Sequence, residues 1–245
     1  MAQRNISFIE GEFYHLYNRG NSKQLIFLDD QDRDRFTKYL YLCNSKKNIS
    51  FRDDIKGGKI DAWDFEKGEP IISIGAWVLM PNHFHLFVTI PLNLKTPQPG
   101  CGEENEVSLF MRKLCGAYTR YFNKKYQRTG GLFESKFKAK VAVSDEYTKY
   151  IFSYIHLNPI KLIDREWKEK GIQNIEEAKN FLETYQWSSY CDFLNHNRKQ
   201  KKILTTKDFP GYFTRPEIFE KEIFDWLAFE PLNLVEGKLS NSDLL

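Results

Sequence analysis

Apolar and polar positions alternate in several short runs of this chain and step at helical spacing in the longer ones. Residues 12 to 21, EFYHLYNRGN, alternate and then break at Gly20, which predicts a strand running into a basic loop. Residues 30 to 43, DQDRDRFTKYLYLC, place acids early and then Phe36, Tyr39, Leu40 and Leu42 at helical spacing, the pattern of a helix. The polar, Gly-containing stretch NISFRDDIKGGKIDAWDFEKGEP reads as a loop or small flap. IISIGAWVLM and HFHLFVTI are two β-rich runs separated by Pro81 and Asn82, the spacing of a hairpin.

PLNLKTPQPGCGEEN is rich in Pro and Gly and predicts a surface loop. Val107, Phe110, Leu114, Ala117 and Tyr121 then step by three and four, giving an amphipathic helix that Gly130 and Gly131 should end. FKAKVAV alternates as a strand, and SDEYTKYIFSYIHLNP opens with a Ser cap and early acids before Pro159. The order is strand, helix, two strands, helix, strand, helix, which predicts an α+β protein built on an antiparallel sheet. Beyond about residue 165 the segments EEAKNFLETYQ and PEIFEKEIFDWL predict a helical C-terminal extension. Its aromatic residues Phe219, Phe224 and Trp226 could pack on the core or mediate dimerisation.

A 245-residue chain suggests one main domain with an appendage. Hydrophobic content of 41%, with 20 Phe and 13 Tyr, excludes a disordered chain. Pro81, Asn82 and the histidines interrupt the longest apolar run well short of a bilayer span, so a soluble, cytoplasmic protein with no membrane partner is expected. Cys43, Cys101, Cys115 and Cys191 are scattered, which predicts reduced thiols.

The net charge of +3 is mild but uneven. Residues 106 to 140 hold nine Lys or Arg against Glu106 and Glu134, whereas residues 160 to 245 hold thirteen basic and fifteen acidic side chains. A polyanion would sit against the middle of the chain. Arg112, Lys113, Arg120, Lys124, Lys125 and Arg128 share a helix with Tyr118, Tyr121, Phe122 and Tyr126, and Lys136 and Lys138 follow. Cations interleaved with aromatic rings suit single-stranded nucleic acid, although the same aromatics also make an ordinary core stripe. Arg19 and Asn21 in the first loop are further candidates for base contacts.

The stretch MPNHFHLF holds two of the chain's five histidines. Alternation puts His83 and His85 on one face of their strand, with Phe84, Leu86 and Val88 on the other. Two imidazoles projecting together form part of a metal ligand set, or else a hydrogen-bonded pair at a hairpin mouth. On the helix TKYIFSYIHLNP, Tyr154 and Asn158 are four residues apart and share a face, so an amide oxygen could complete a metal site beside a phenol. His156 lies about 200° around that helix from Tyr154 and is assigned a structural role. With thirteen tyrosines, a core aromatic is the competing account of Tyr154.

Taken in order, YHLYNRGN, AWVLMPNHFHLF, GGLFESKFKAKVA and YIFSYIHLNPIK resemble the HUH tyrosine transposases, specifically the REP-associated tyrosine transposases and their relatives. The resemblance spans about residues 10 to 165, making 1–165 a catalytic domain and 166–245 an extension. It implies a ferredoxin-like antiparallel sheet with helices on one side. It also implies a divalent ion, Mg2+ or Mn2+, on His83, His85 and Asn158, with Tyr154 as nucleophile. The implied activity is nicking and strand transfer on hairpin-bearing single-stranded DNA through a 5′-phosphotyrosine, by a monomer or homodimer. The chain contains no G-x-x-x-x-G-K-[ST] loop, which agrees with an exchange that conserves the phosphoester and needs no ATP.

Overall fold

Four stretches whose apolar residues alternate with polar or oppositely facing ones pair into a single antiparallel sheet in the computed structural model, which describes residues 6–92, 105–211 and 216–225. The strands are β1 (Phe13–Arg19), β2 (Ser73–Met80), β3 (His83–Thr89) and β4 (Lys138–Val141), in the order β2-β3-β1-β4. With α1 (Asp30–Cys43) between β1 and β2 and α2 (Glu106–Lys125) between β3 and β4, the connectivity is ferredoxin-like, as expected.

Period-two alternation splits the side chains between two cores. Tyr14 and Leu16 of β1, Trp77 and Leu79 of β2, and Phe84, Leu86 and Val88 of β3 pack beneath α1 and α2. The helical layer expected on one side is this one. Ala76, Val78 and Met80 of β2 and Phe87 of β3 face the other way, against α3 (Asp145–Leu157) and the C-terminal helices. A register shift between Ile74 and Ala76 changes the phase of β2. A Cβ on Gly75 in that bulge would lie 2.7 Å from the Phe209 ring, so any larger residue there must displace that ring.

The extension after residue 165 is made of α4 (Trp167–Lys170), α5 (Ile175–Thr184), α6 (Tyr190–Phe193), α7 (Pro216–Asp225) and short 3-10 turns. It contributes Trp167, Leu182, Tyr190, Phe193 and Phe219 to the core shared with α3. Residues 187 to 189 also hydrogen-bond β2, with Leu79 N donating to Trp187 O and Ser189 N to Trp77 O, both at 2.9 Å. Residue 165 is therefore a change of pattern along the chain, and no gap in packing accompanies it.

Two local expectations need correction. The stretch read as a loop between α1 and β2 contains a π-helical turn at Phe51–Gly57 and buries Ile55, Ala62 and Trp63, because its sparse apolar residues are the ones that reach the core. The amphipathic helix α2 ends at Lys125, five residues before Gly130, and the chain turns at Gln127 in a left-handed conformation. Cys43, Cys115 and Cys191 are free thiols. Cys101, Trp226 and most of the Pro/Gly-rich loop lie outside the described residues. No helix among the described residues is long and apolar enough to cross a membrane.

Candidate active site

The face of the sheet turned toward α3 carries the polar chemistry. Register opposes Tyr17 to His85 and Arg19 to His83 across β1 and β3, and His15 to Lys140 and Tyr17 to Lys138 across β1 and β4. His15, Tyr17, His83 and His85 thus point to one side. The ring centroids of His83 and His85 are 5.0 Å apart, as are those of His15 and His85. Neither His15 nor Tyr17 is among the site residues legible in the sequence. Their alternate positions in YHLYNR are the available signal, but only strand register brings them beside β3.

The hairpin tip that carries His83 is held by the loop after β1. Ile26 N donates to Pro81 O at 3.0 Å, and Gly20 N donates to Asn82 O at 2.8 Å. A Cβ on Gly20 would lie 2.2 Å from Gln24 O, so a larger residue would push this clamp apart. Asn82 Nδ2 donates to Lys23 O at 3.2 Å, which orients its amide. Its Oδ1 then faces His83 Nδ1 at 2.6 Å. A carbonyl oxygen can only accept, so His83 carries its proton on Nδ1 and a lone pair on Nε2. His85 Nδ1 lies 2.8 Å from His15 Nε2. In the tautomer with His85 as donor, Nε2 of His85 also presents a lone pair.

Helix α3 supplies the other half. Ser144 caps it, its side chain accepting from Tyr147 N. At its far end Asn158 and Pro159 pass into a 3-10 turn, Asn158–Leu162. The Tyr154 ring sits 5.5 Å from that of His85 and 6.1 Å from that of His15. Tyr147, Tyr150 and Tyr154 form a stacked ladder, and Tyr154 is the member in contact with the histidines. His156 points elsewhere, bonding Phe152 O at 2.9 Å and Ser189 Oγ at 2.8 Å, as its structural assignment requires.

His83 Nε2, His85 Nε2 and Asn158 Oδ1 are each buried with no hydrogen-bond partner. Leaving such an atom unsatisfied costs about 1–3 kcal/mol, and three acceptors in one cluster suit a cation. Asn158 sits near enough to His83 and Tyr154 for its carboxamide to bear on both groups, yet nothing donates to its Oδ1. Among the described residues no group of three or more His, Cys, Asp or Glu could hold a metal. A site here is instead two imidazoles and one amide oxygen, a donor set whose imidazoles suit a transition-metal ion and whose amide oxygen suits a harder one. We expect Mn2+ titration by calorimetry to detect one site, which His83→Ala or His85→Ala weakens by at least about a hundredfold. His15→Phe, which removes only the partner of a ligand, should weaken it about ten- to a hundredfold. Equal affinity in all four proteins would refute this donor set.

Burial, ahead of the neighbouring Lys140 and Lys168, brings His15 down to about 3. Burial likewise brings His83 down to about 3 and His85 well below its ordinary value, so all three rings are neutral at physiological pH. Tyr154 is 3% exposed, and burial raises its phenol above the usual tyrosine value. Its hydroxyl is hydrogen-bonded to Lys168 Nζ at 3.0 Å. Lys168 belongs to α4, and no sequence motif places it in the site.

The candidate nucleic-acid residues divide. Helix α2 packs on the sheet face opposite Tyr154. There Arg112, Arg120 and Lys124 line a cavity of about 900 Å³ with Arg35, Phe51 and Arg52. Eight cationic side chains and no carboxylate line this cavity. Two of the predicted cations are tied up internally. Lys113 donates to the carbonyls of Ser45 and Lys47, and Lys125 pairs with Asp29 and the fully buried Asp32 at 2.7 and 2.8 Å. Arg19 is likewise paired with Glu134 at 2.8 Å. Arg128 lies 5.5 Å from the Phe122 centroid, and Asn21 opens an exposed 3-10 turn. Lys136 and Lys138 are exposed at the β4 edge, the latter near the Tyr17 ring on the site face.

No protein-family model and no curated protein matches the chain. Among solved structures, a REP-associated tyrosine transposase bound to a REP hairpin aligns with a TM-score of 0.45 and 14% identity, covering 86% of this chain and 92% of that one. At that distance the likeness does not specify a function.

Proposed function

We propose that the protein nicks and rejoins single-stranded, hairpin-bearing DNA in a transposase-like, metal-dependent strand transfer, with Tyr154 as nucleophile. The observation that carries this reading is the meeting of one phenol with three unsatisfied buried acceptors, His83 Nε2, His85 Nε2 and Asn158 Oδ1. The four-motif resemblance in the sequence supports it independently.

Phosphodiester cleavage by a phenol needs the nucleophile in line, the phosphoryl charge neutralised and the departing oxygen protonated. A divalent ion held by His83, His85 and Asn158 would supply a Lewis acid for the phosphoryl oxygens. The chain's own groups do the rest. Packing of α3 on the sheet fixes the Tyr154 ring, and Asn82 and His15 orient the two imidazoles. Tyr154 Oη bonds to phosphorus, the bond to the 3′ oxygen breaks, and the 5′-phosphotyrosine keeps the phosphoester for a later 3′-OH.

For grip, the cationic cavity against α2 takes the strand backbone, and Lys136 and Lys138 at the β4 edge guide it round to the site face. Arg120→Ala with Lys124→Ala is expected to lower the slope of log affinity against log salt by about 1.4, as loss of two single-strand phosphate contacts requires. An unchanged slope would place the DNA elsewhere.

The near-complete burial of Tyr154 favours a second reading, a structured-nucleic-acid-binding protein whose site stays closed. Incubation of the protein with a hairpin-bearing single strand and Mn2+, followed by denaturing electrophoresis, separates the readings. A protein–DNA adduct supports strand transfer. Salt-sensitive binding without cleavage supports the second reading, and cut DNA without adduct indicates a water-using phosphohydrolase.

A further inference from the structure

The phenol's proton acceptor is missing from the motif set, and the C-terminal extension contains a group in contact with it. Lys168 Nζ lies 3.0 Å from Tyr154 Oη and 4.3 Å from the centre of its ring. The contact is built into the fold. Chain reversal after Asn158 is set by Ile163 N and Asp164 N, which both donate to Ile160 O. Trp167, 3% exposed, is driven into the same core as Tyr154, and its successor Lys168 is thereby set against the hydroxyl.

Other candidates for the task are already engaged. His83 and His85 direct their free nitrogens to the proposed cation site, and His15 Nε2 is bonded to His85. Resting on the strand-transfer reading, we propose that Lys168 is a catalytic residue, the general base that takes the Tyr154 proton. As Oη forms its bond to phosphorus, the phenolic proton passes to the Lys168 amine. The P–O3′ electron pair leaves with the 3′ oxygen, which takes a proton from water. In rejoining, a 3′-OH attacks phosphorus and gives up its proton to water as the P–Oη bond breaks, and the Lys168 ammonium returns its proton to the departing phenolate.

The role requires a neutral amine. Burial first, and then Lys161, lower Lys168 to about 8, with Glu169 opposing them. Facing it from the sheet are the neutral rings of His15, His83 and His85, each disfavoured from charging by this same lysine. This lowering brings the amine toward the neutral form that a general base needs near physiological pH.

The test measures adduct formation in single turnover with a hairpin-bearing strand and Mn2+, for wild type, Lys168→Met and Lys168→Arg. Both variants are expected to lose about 10²–10³-fold in rate. Arginine keeps the packing and charge but cannot accept the proton. Mn2+ and DNA affinities should stay within about twofold, because Lys168 is assigned to neither. The wild-type rate should rise with pH and level off near 8, and both variants should lose that inflection. Variants that react at the wild-type rate with the wild-type profile would overturn the role of Lys168 and leave the strand-transfer reading intact. A wild-type protein that forms no adduct would sink both.

Discussion

Tyr154→Phe is expected to abolish the covalent protein–DNA product of the proposed reaction, and Tyr147→Phe and Tyr150→Phe are expected to retain it. The three phenols lie in one ladder on α3, with ring centroids 6.1 and 6.2 Å apart, so composition and helix position cannot separate them. Their surroundings do. Tyr154 contacts the His15 and His85 rings and Lys168, whereas burial alone raises Tyr147, and burial with the neighbouring Tyr147 raises Tyr150 to about 12. The substitution removes a single oxygen and one hydrogen bond from a packed site, so stability should change by no more than about 1.5 kcal/mol. Denaturing electrophoresis with urea unfolding as the control reads both effects. An adduct that persists in Tyr154→Phe and disappears in Tyr150→Phe would relocate the nucleophile one turn back.

Acidification from pH 7 to 5 is expected to destabilise the fold by about 6 kcal/mol or less. His15, His83, His85 and His156 are buried, and burial is the leading cause of the depressed value of each. His15, His83 and His156 are brought down to about 3, while an unfolded histidine titrates near about 6.5. Between those limits the unfolded chain binds protons that the native chain refuses, so stability is present above about 6.5 and is lost as pH falls toward about 3. Each such histidine contributes about 2 kcal/mol of loss between pH 7 and 5. Three of them approach the total stability of an ordinary domain, about 5–15 kcal/mol. Urea midpoints at pH 7, 6 and 5 measure this directly. A flat profile would mean that the imidazoles are charged or solvated in the native state. Mn2+ should raise all three midpoints together, because an ion bound only by the native protein stabilises that state without changing the proton uptake of rings that are already neutral.

The same histidines show how far local pattern reaches. Period-two alternation in HFHLFVT put His83 and His85 on one face and the Phe84, Leu86 and Val88 stripe on the other. A two-residue gap at Pro81 and Asn82 located the hairpin, and the four-residue step from Tyr154 to Asn158 put phenol and amide on one side of α3. These are properties of neighbours in the chain, with periods of 2 and 3.6 residues that survive without any partner.

Register and layer are not local, and they decided the rest. Nothing in YHLYNR says that Tyr17 will oppose His85 or that His15 will bond it. The basic stripe of α2 is legible in sequence, yet its place on the sheet face away from Tyr154 depends on which way the apolar stripe of α2 docks. The pairing of Lys125 with Asp32 and of Arg19 with Glu134 joins residues far apart in the chain, so those cations look available until the fold closes. Lys168 lies fourteen residues beyond Tyr154 in an acid-rich, pattern-poor tail, and reaches the phenol because Trp167 needs to be buried. Sequence alone located the four strands and the main helices and gave the apolar faces of most of them. Which faces meet was settled by burying two apolar surfaces on opposite sides of one sheet, a choice made by the whole chain at once.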